Sequence, residues 1–377
     1  MHRFAFVLEQ TMGHVAHSRN LTRALTAERD IDATVIPIDY SDPLGLERLP
    51  GLRTWSWRAS VAARAALRDR LAKGPLDGIF IHTQVAALRS TDVMRVVPTI
   101  VSLDATPRQF DREGHAYGHR RNPEVVEALK RQINMRAFNA AARLVTWCQW
   151  AAYSLTAEYG VAPDRISVIP PGVDLTLFQP LLIPKRSARV RVLFVGGDFE
   201  RKGGPDLVEA AKLLGDVVEL DLVTGSNVEA PPGMVARVHR DLAPQSEKLV
   251  NLYRRADIFA MPSRGDCMPQ AVTEALGCGL PVIATRVGAI PEMVHDQVNG
   301  YMVPTRDPRS LAQAIESLVR SPARRTSMGR AGRVLAMQQF DAAKNNRRVF
   351  ELMRVLASAR SGVDGRRQLV AAGAKTA

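Results

Sequence analysis

The chain has 377 residues, 46% of them hydrophobic, which is enough to bury two ordinary cores at ~100–200 residues per domain. Cys148, Cys267 and Cys278 show neither metal-ligand spacing nor a disulfide framework, which fits a reducing cytosol; the N-terminal apolar run is too short for a signal peptide, and no stretch of 18 apolar residues exists to span a bilayer. The net charge of +13 is uneven: residues 51–150 hold 16 basic and 8 acidic side chains, residues 301–377 hold 15 and 5, and residues 151–300 hold 15 and 18.

With 43 Arg against 8 Lys, the excess is read either as biased composition over a solvated surface or as a face drawn to an anionic partner such as a membrane or a phosphorylated acceptor.

In chain order, residues 4–9 are an apolar run ending in a polar loop, Gln10-Thr11-Met12-Gly13-His14, and a helical pattern follows over 15–28. Residues 31–38 alternate like a second strand. Residues 55–73 spell an Arg- and Ala-rich helix. Its Trp55 and Trp57, with Arg53, Arg58, Arg64, Arg68 and Arg70, look like interfacial anchors, although the arginines spread around the helical wheel. Strands are expected at 78–82, 97–103 and 144–146, and helices at 130–139 and 151–159. This alternation argues for a parallel sheet covered on both faces.

Ile169-Pro170-Pro171-Gly172-Val173-Asp174, followed by Pro180 and Pro184, reads as a linker. A second series then begins, with strands expected at 189–195, 218–224 and 257–261 and near Val282. Its helices are expected at 205–214, 246–254, after Pro269, and at 310–318. Residues 340–358 read as one long amphipathic helix with Val349, Phe350, Met353 and Leu356 on one face, and residues 361–377 read as a frayed tail.

The residues able to do chemistry follow strands, where ligands bind in open α/β sheets. Gly196-Gly197 lets backbone approach a ligand, and Arg201 and Lys202 can neutralise a diphosphate. Gly13 and His14 follow the first strand, Asp104 and His82 follow later ones, and Gly225 and Arg240 end strands of the second series. Asp266 and Glu274 lie eight positions apart around Cys267-Met268-Pro269-Gln270. Pro269 suits the first helical turn, so Asp266 precedes the helix and Glu274 lies inside it, and the helix N-terminus between them offers free N–H groups to an anion. Glu292 either faces the ligand or caps the helix ahead.

The run from Pro262 to Ala284, PSRGDCMPQAVTEALGCGLPVIA, resembles the signature of the family-4 retaining glycosyltransferases of the GT-B fold, as do Pro170-Pro171-Gly172-Val173-Asp174 with Phe178, Lys202-Gly203 and Gly288-Ala289-Ile290-Pro291-Glu292. The resemblance implies two Rossmann-like doubly wound α/β domains facing a central cleft. Residues 1–172 would form the acceptor side and 173–338 the nucleotide-sugar side. Residues 339–360 would form a helix crossing back to the first domain, and 361–377 a flexible tail.

It also implies that Asp266 (where the family usually has Glu) binds the donor sugar, Glu274 binds the ribose, and Lys202 with Arg201 meets the phosphate charge. Gly197 stands where the family has an Arg. Gly13 and His14 would close over the donor phosphate, Asp104 would touch sugar or acceptor, and Gly225 and Arg240 would cradle the base.

The expected activity is metal-independent, retaining transfer of a sugar from a UDP- or GDP-linked donor to a glycan, lipid or small-molecule acceptor, with no cofactor. The expected site is the cytoplasm, or the inner face of the membrane as a peripheral protein. The alternative reading is a catalytically impaired relative that uses the cleft for binding or assembly. A nicotinamide enzyme is disfavoured because no Gly-x-Gly-x-x-Gly run exists, and a nucleic-acid binder because charge alone suggests it.

Overall fold

The computed structural model describes residues 1–11, 13–39, 55–118, 122–181 and 189–373. Arg53, Pro184 and the last four residues of the expected tail lie outside the described residues. Two six-stranded parallel sheets carry the fold. The first comprises β1 (His2–Glu9), β2 (Ile31–Ile38), β3 (Gly78–His82), β4 (Thr99–Leu103), β5 (Arg143–Thr146) and β6 (Ile166–Val168), in the order β2-β1-β3-β4-β5-β6. The second comprises β7 (Val190–Val195), β8 (Val218–Val223), β9 (Ala236–His239), β10 (Ile258–Met261), β11 (Val282–Thr285) and β12 (Gly300–Val303), in the order β12-β11-β10-β7-β8-β9.

Parallel strands are covered on both faces, so they read as near-continuous apolar runs rather than alternations. The buried strands Ile258–Met261 and Val282–Thr285 show this. β1 divides its side chains between two cores. Ala5 and Val7 pack under Ala59, Ala63 and Leu67 of the helix Trp55–Ala72, whereas Phe4, Phe6 and Leu8 face the other way.

That second face is closed from the far end of the chain. The helix Ala342–Gly373 buries Val349, Phe350 and Met353 against Phe4, Phe6 and Leu21, with Phe350 edge-on to Phe6 at 6.0 Å. Arg354 fixes its register by pairing with Glu28 and Asp30. The helix expected over 340–358 is present and begins at Ala342. A further helix at Pro322–Gln339, not expected from sequence, precedes it, and the two are separated where Val173 of the linker bridges Asp341. The stretch expected to fray from Ser361 continues as helix to Gly373.

The break has a steric basis. The Val173 amide donates to Phe340 O at 2.8 Å and the Ala342 amide to Val173 O at 3.1 Å, so the two chain crossings pair side by side. A Cβ at Gly172 would lie 2.1 Å from the Ala342 backbone, so only glycine permits the approach.

Candidate active site

Strand order locates the site. In the second sheet the order reverses between β7 and β10, and in the first between β1 and β3. Open α/β sheets bind ligands outside the carboxyl ends of the strands at such switch points. The loops there are Gly196–Lys202 after β7, Pro262–Pro269 after β10, Gln10, Thr11 and Gly13 after β1, and Thr83 after β3.

At the second switch point Lys202 Nζ pairs with Asp266 Oδ2, and both side chains are nearly enclosed. The stem of Lys202 passes over Gly196, where a Cβ would come within 2.8 Å of Lys202 Cβ and Cγ, whereas a Cβ at Gly197 would meet open space. Asp266 is held from behind. The Ala289 amide donates to Cys267 O at 2.8 Å, and Gly288, at φ +51°, would put a Cβ 2.0 Å from Asp266 O. Gly288 thus makes room for the loop that aims the carboxylate.

Arg201 donates to Gly265 O at 2.9 Å and pairs with Asp198 at 3.3 Å.

The helix after Asp266 runs Gln270–Gly277 and ends through Gly279 at φ +70°, a left-handed stop. Pro269 is its N-cap, extended at ψ 118°, and not a residue of its first turn as expected from sequence. Gln270 is buried, and its Nε2 has no hydrogen-bond partner among the described residues. Glu274 lies one turn further in, buried beside Tyr253; burial raises its pKa from 4.5 to about 7 against the opposing Tyr253 hydroxyl. Met268 turns into the core near Val272, and Cys267 is buried, its thiol pushed up by burial.

Gly225 closes the ends of β7 and β8, donating to Gly197 O at 3.1 Å. Arg240, after β9, is exposed and donates to Val228 O.

In the first sheet three histidines gather at the strand ends. His14, first residue of the helix His14–Leu25, meets His82 at 2.8 Å between Nδ1 and Nε2 and lies 3.7 Å from Glu9. His82 stacks on Trp147 at 4.8 Å, with His17 edge-on to both rings. Burial, with His14 nearby, lowers His17 to about 3 and His82 well below the usual range, so both are neutral at pH 7. Glu9 accepts from the hydroxyls of Thr11 and Thr83. Burial raises the pKa of Asp104, which follows β4.

Sequence reasoning singled out His14, His82 and Asp104 but missed Glu9, His17 and Trp147. Glu9 ends β1 and Trp147 follows β5, so position at a strand's carboxyl end was the signal available.

The two halves face each other closely. A Cβ on Gly13 would lie 3.9 Å from Gln270 Cγ, and one on Gly265 would lie 2.4 Å from Ala116 Cβ. The Arg201 guanidinium sits 4.4 Å over the Tyr117 ring from the opposite half. Glu292 was expected either at the ligand or capping the helix ahead of it. Its carboxylate instead accepts the amides of Gln149 at 2.8 Å and Trp150 at 2.7 Å, the N-terminus of a helix in the first half. A carboxylate there complements the helix's free N–H groups and positive end. Among the described residues no group of His, Cys, Asp or Glu is placed to hold a metal ion.

Two parallel α/β units meeting at paired switch points, with a cation–carboxylate cluster and a helix N-terminus on one lip, define a group-transfer cleft of the GT-B type. Residues 12–177 match the model of "Glycosyltransferase Family 4" and residues 189–321 that of "Glycosyl transferases group 1". A D-inositol 3-phosphate glycosyltransferase of Pseudarthrobacter chlorophenolicus is 30% identical over 77% of this chain and 72% of its own length. The corresponding protein 1 of Catenulispora acidiphila is 33% identical over 60% of each, and that of Segniliparus rotundus 35% identical over 55% of this chain and 51% of its own.

The chain thus spans between half and two thirds of these last two relatives. Among solved structures, sucrose-phosphate synthase of Thermosynechococcus elongatus superposes with a TM-score of 0.74 at 18% identity, over 95% of this chain and all of that one. Anabaena HepE in complex with UDP superposes with a TM-score of 0.64 at 16% identity, over 94% of this chain and all of that one. The chain belongs to the family-4 glycosyltransferases, on the GT-B fold.

Proposed function

We propose that the protein is a retaining glycosyltransferase that moves a sugar from a UDP- or GDP-linked donor to an acceptor hydroxyl. The observation that carries this reading is the convergence of Arg201, Lys202, Asp266 and the Gln270–Gly277 helix N-terminus at one switch point, with Glu274 buried a turn further in.

When the sugar's C1–O bond to the diphosphate breaks, negative charge grows on the leaving oxygen. Lys202, Arg201 and the free N–H groups of the Gln270 helix offer fixed positive charge to it. In the free protein Lys202 is balanced by Asp266, so the incoming phosphate competes for a lysine already held in place. Asp266 then turns to the sugar's hydroxyls and Glu274 to the ribose. The acceptor oxygen forms the new C1–O bond on the face the diphosphate leaves, and its proton passes to the departing phosphate oxygen. Asp104 and His14 approach from the acceptor side. Closure of the two halves excludes water and so suppresses donor hydrolysis.

The test has two parts. Thermal shift with UDP and GDP separates the bases, and turnover of the sugar nucleotide is followed with D-inositol 3-phosphate, after which several relatives are named, among the acceptors tried. Lys202→Ala is expected to cut turnover ~100-fold or more at saturating donor, the scale of losing one preorganised charge-stabilising group. Unchanged turnover would reject its role. Donor binding with no turnover under any condition would favour a binding protein.

A further inference from the structure

The helix Glu124–Ala140 turns apolar residues outward. Val125 is 80% exposed, Leu129 57%, Val126 46% and Ile133 37%, whereas only Asn134, Ala137 and Phe138 are buried, all in its C-terminal half. Val125, Leu129 and Ile133 recur every four residues, so they form one stripe along the outer surface. Exposed Arg136 continues the stripe from Leu129. Glu124 and Glu127 stand roughly 140–160° around the helix from Leu129 at ~100° per residue, where they complement the helix's own N-terminus. The outward face is therefore apolar and cationic together.

This helix runs from the carboxyl end of the first sheet, where the cleft opens, towards the opposite edge. The helix Trp55–Ala72 shares that direction, following β2 and preceding β3. Its Trp57, 36% exposed, lies under Arg89 at 4.7 Å, beside Trp55 at 37%. The short helices Gln84–Ala87 and Thr91–Val96, the latter with exposed Arg95 and Val96, bridge the two. Arg89, Arg95 and Arg136 are exposed on or between these helices, and along the sequence residues 51–150 hold twice as many basic as acidic groups.

Exposed apolar side chains rimmed by arginine mark an interaction surface. We propose that this face of the first unit seats on an anionic lipid surface, through Val125, Val126, Leu129 and Ile133 with Arg136 and Trp57 alongside, so that the cleft mouth sits next to the bilayer. Charge complementarity favours lipid headgroups over a second copy of this basic chain. Apolar side chains entering the headgroup boundary supply the non-electrostatic part of such binding, and arginines supply the part that salt weakens.

The seat does not depend on what the cleft transfers, and sedimentation reads it with no donor present. The full chain is mixed with vesicles of equimolar phosphatidylglycerol and phosphatidylcholine, and separately with pure phosphatidylcholine vesicles. Sedimentation is expected with the first and not the second, and raised salt should weaken it. Leu129→Asp and Val125→Asp are each expected to lower partitioning about tenfold or more, and Arg136→Glu to lower it only at low salt. Thermal melting confirms that these exposed variants fold, and Val125→Ser serves if an aspartate does not.

Wild-type protein that stays in the supernatant with anionic vesicles would overturn the proposal. So would equal sedimentation of the aspartate variants. A concentration-dependent dimer that Leu129→Asp dissolves would assign the face to a second copy instead.

Discussion

Glu274 is the residue whose behaviour tests the site most sharply without any substrate. Its carboxyl is buried in the Gln270–Gly277 helix, and burial raises its pKa from 4.5 to about 7. A raised carboxyl favours folding while it keeps its proton. That stability is fully present below pH 4.5, falls as the unfolded chain ionises and the folded one does not, and is gone once pH passes about 7. At 1.36 kcal/mol per tenfold, the buried charge costs about 3 kcal/mol at pH 8.

Glu274→Gln keeps the shape and removes the charge. The variant should therefore melt higher than the parent at pH 8, by up to ~2–4 °C per kcal/mol recovered in a unit of this size, and match it near pH 5. The same variant should bind the free nucleoside diphosphate more weakly, since a carboxylate is the better acceptor for ribose hydroxyls. Thermal melts at both pH values, followed by calorimetry with the diphosphate, measure both effects. An equal melting difference at pH 5 and pH 8 would refute the buried charge. Unaltered diphosphate affinity would refute the ribose role.

Other sites give independent checks. Phe350→Ala removes a fully buried ring from the seam between the returning helix and β1 and should destabilise the protein by ~3–5 kcal/mol, read by denaturant unfolding, with no direct effect on the cleft. Glu292→Ala strips a charged acceptor from two amides of the opposite half. It should cost ~1.5–3 kcal/mol and loosen closure, seen as faster hydrolysis of donor in the absence of acceptor. Tyr117→Phe should retain the stacking of Arg201 and near-parental turnover. Tyr117→Leu should lose it, lowering kcat more than it raises KM; equal kinetics for the two variants would dismiss the contact.

The long buried strands and the linker were legible because their physics is local. A parallel strand covered on both sides has to be apolar throughout, and Pro170-Pro171-Gly172 breaks any regular element. The helices 55–72 and 204–214 declared themselves by length and composition. What escaped was settled at a distance. β6, β9 and β12 are three or four residues long and partly exposed, too short for a period to show. The break at Phe340-Asp341 is made by Val173 pairing across some 170 positions of sequence, and no local residue announces it.

The cleft was half legible for the same reason. The motif around Asp266, Glu274 and Lys202 is short-range, so its chemistry showed in spacing. The Glu9–His14–His82–Trp147 cluster is assembled by strand order, and Glu292 reaches a helix more than 140 positions upstream. Neither can be read before the sheets are known.

A crystal structure with the intact sugar nucleotide bound, or with the diphosphate and a non-transferable analogue, measures the central claim directly. The account predicts the diphosphate over the Gln270 helix N-terminus with Lys202 and Arg201 on its oxygens, Asp266 on the sugar and Glu274 on the ribose. A ligand bound elsewhere, or bound there with Lys202 still paired only to Asp266, would contradict it.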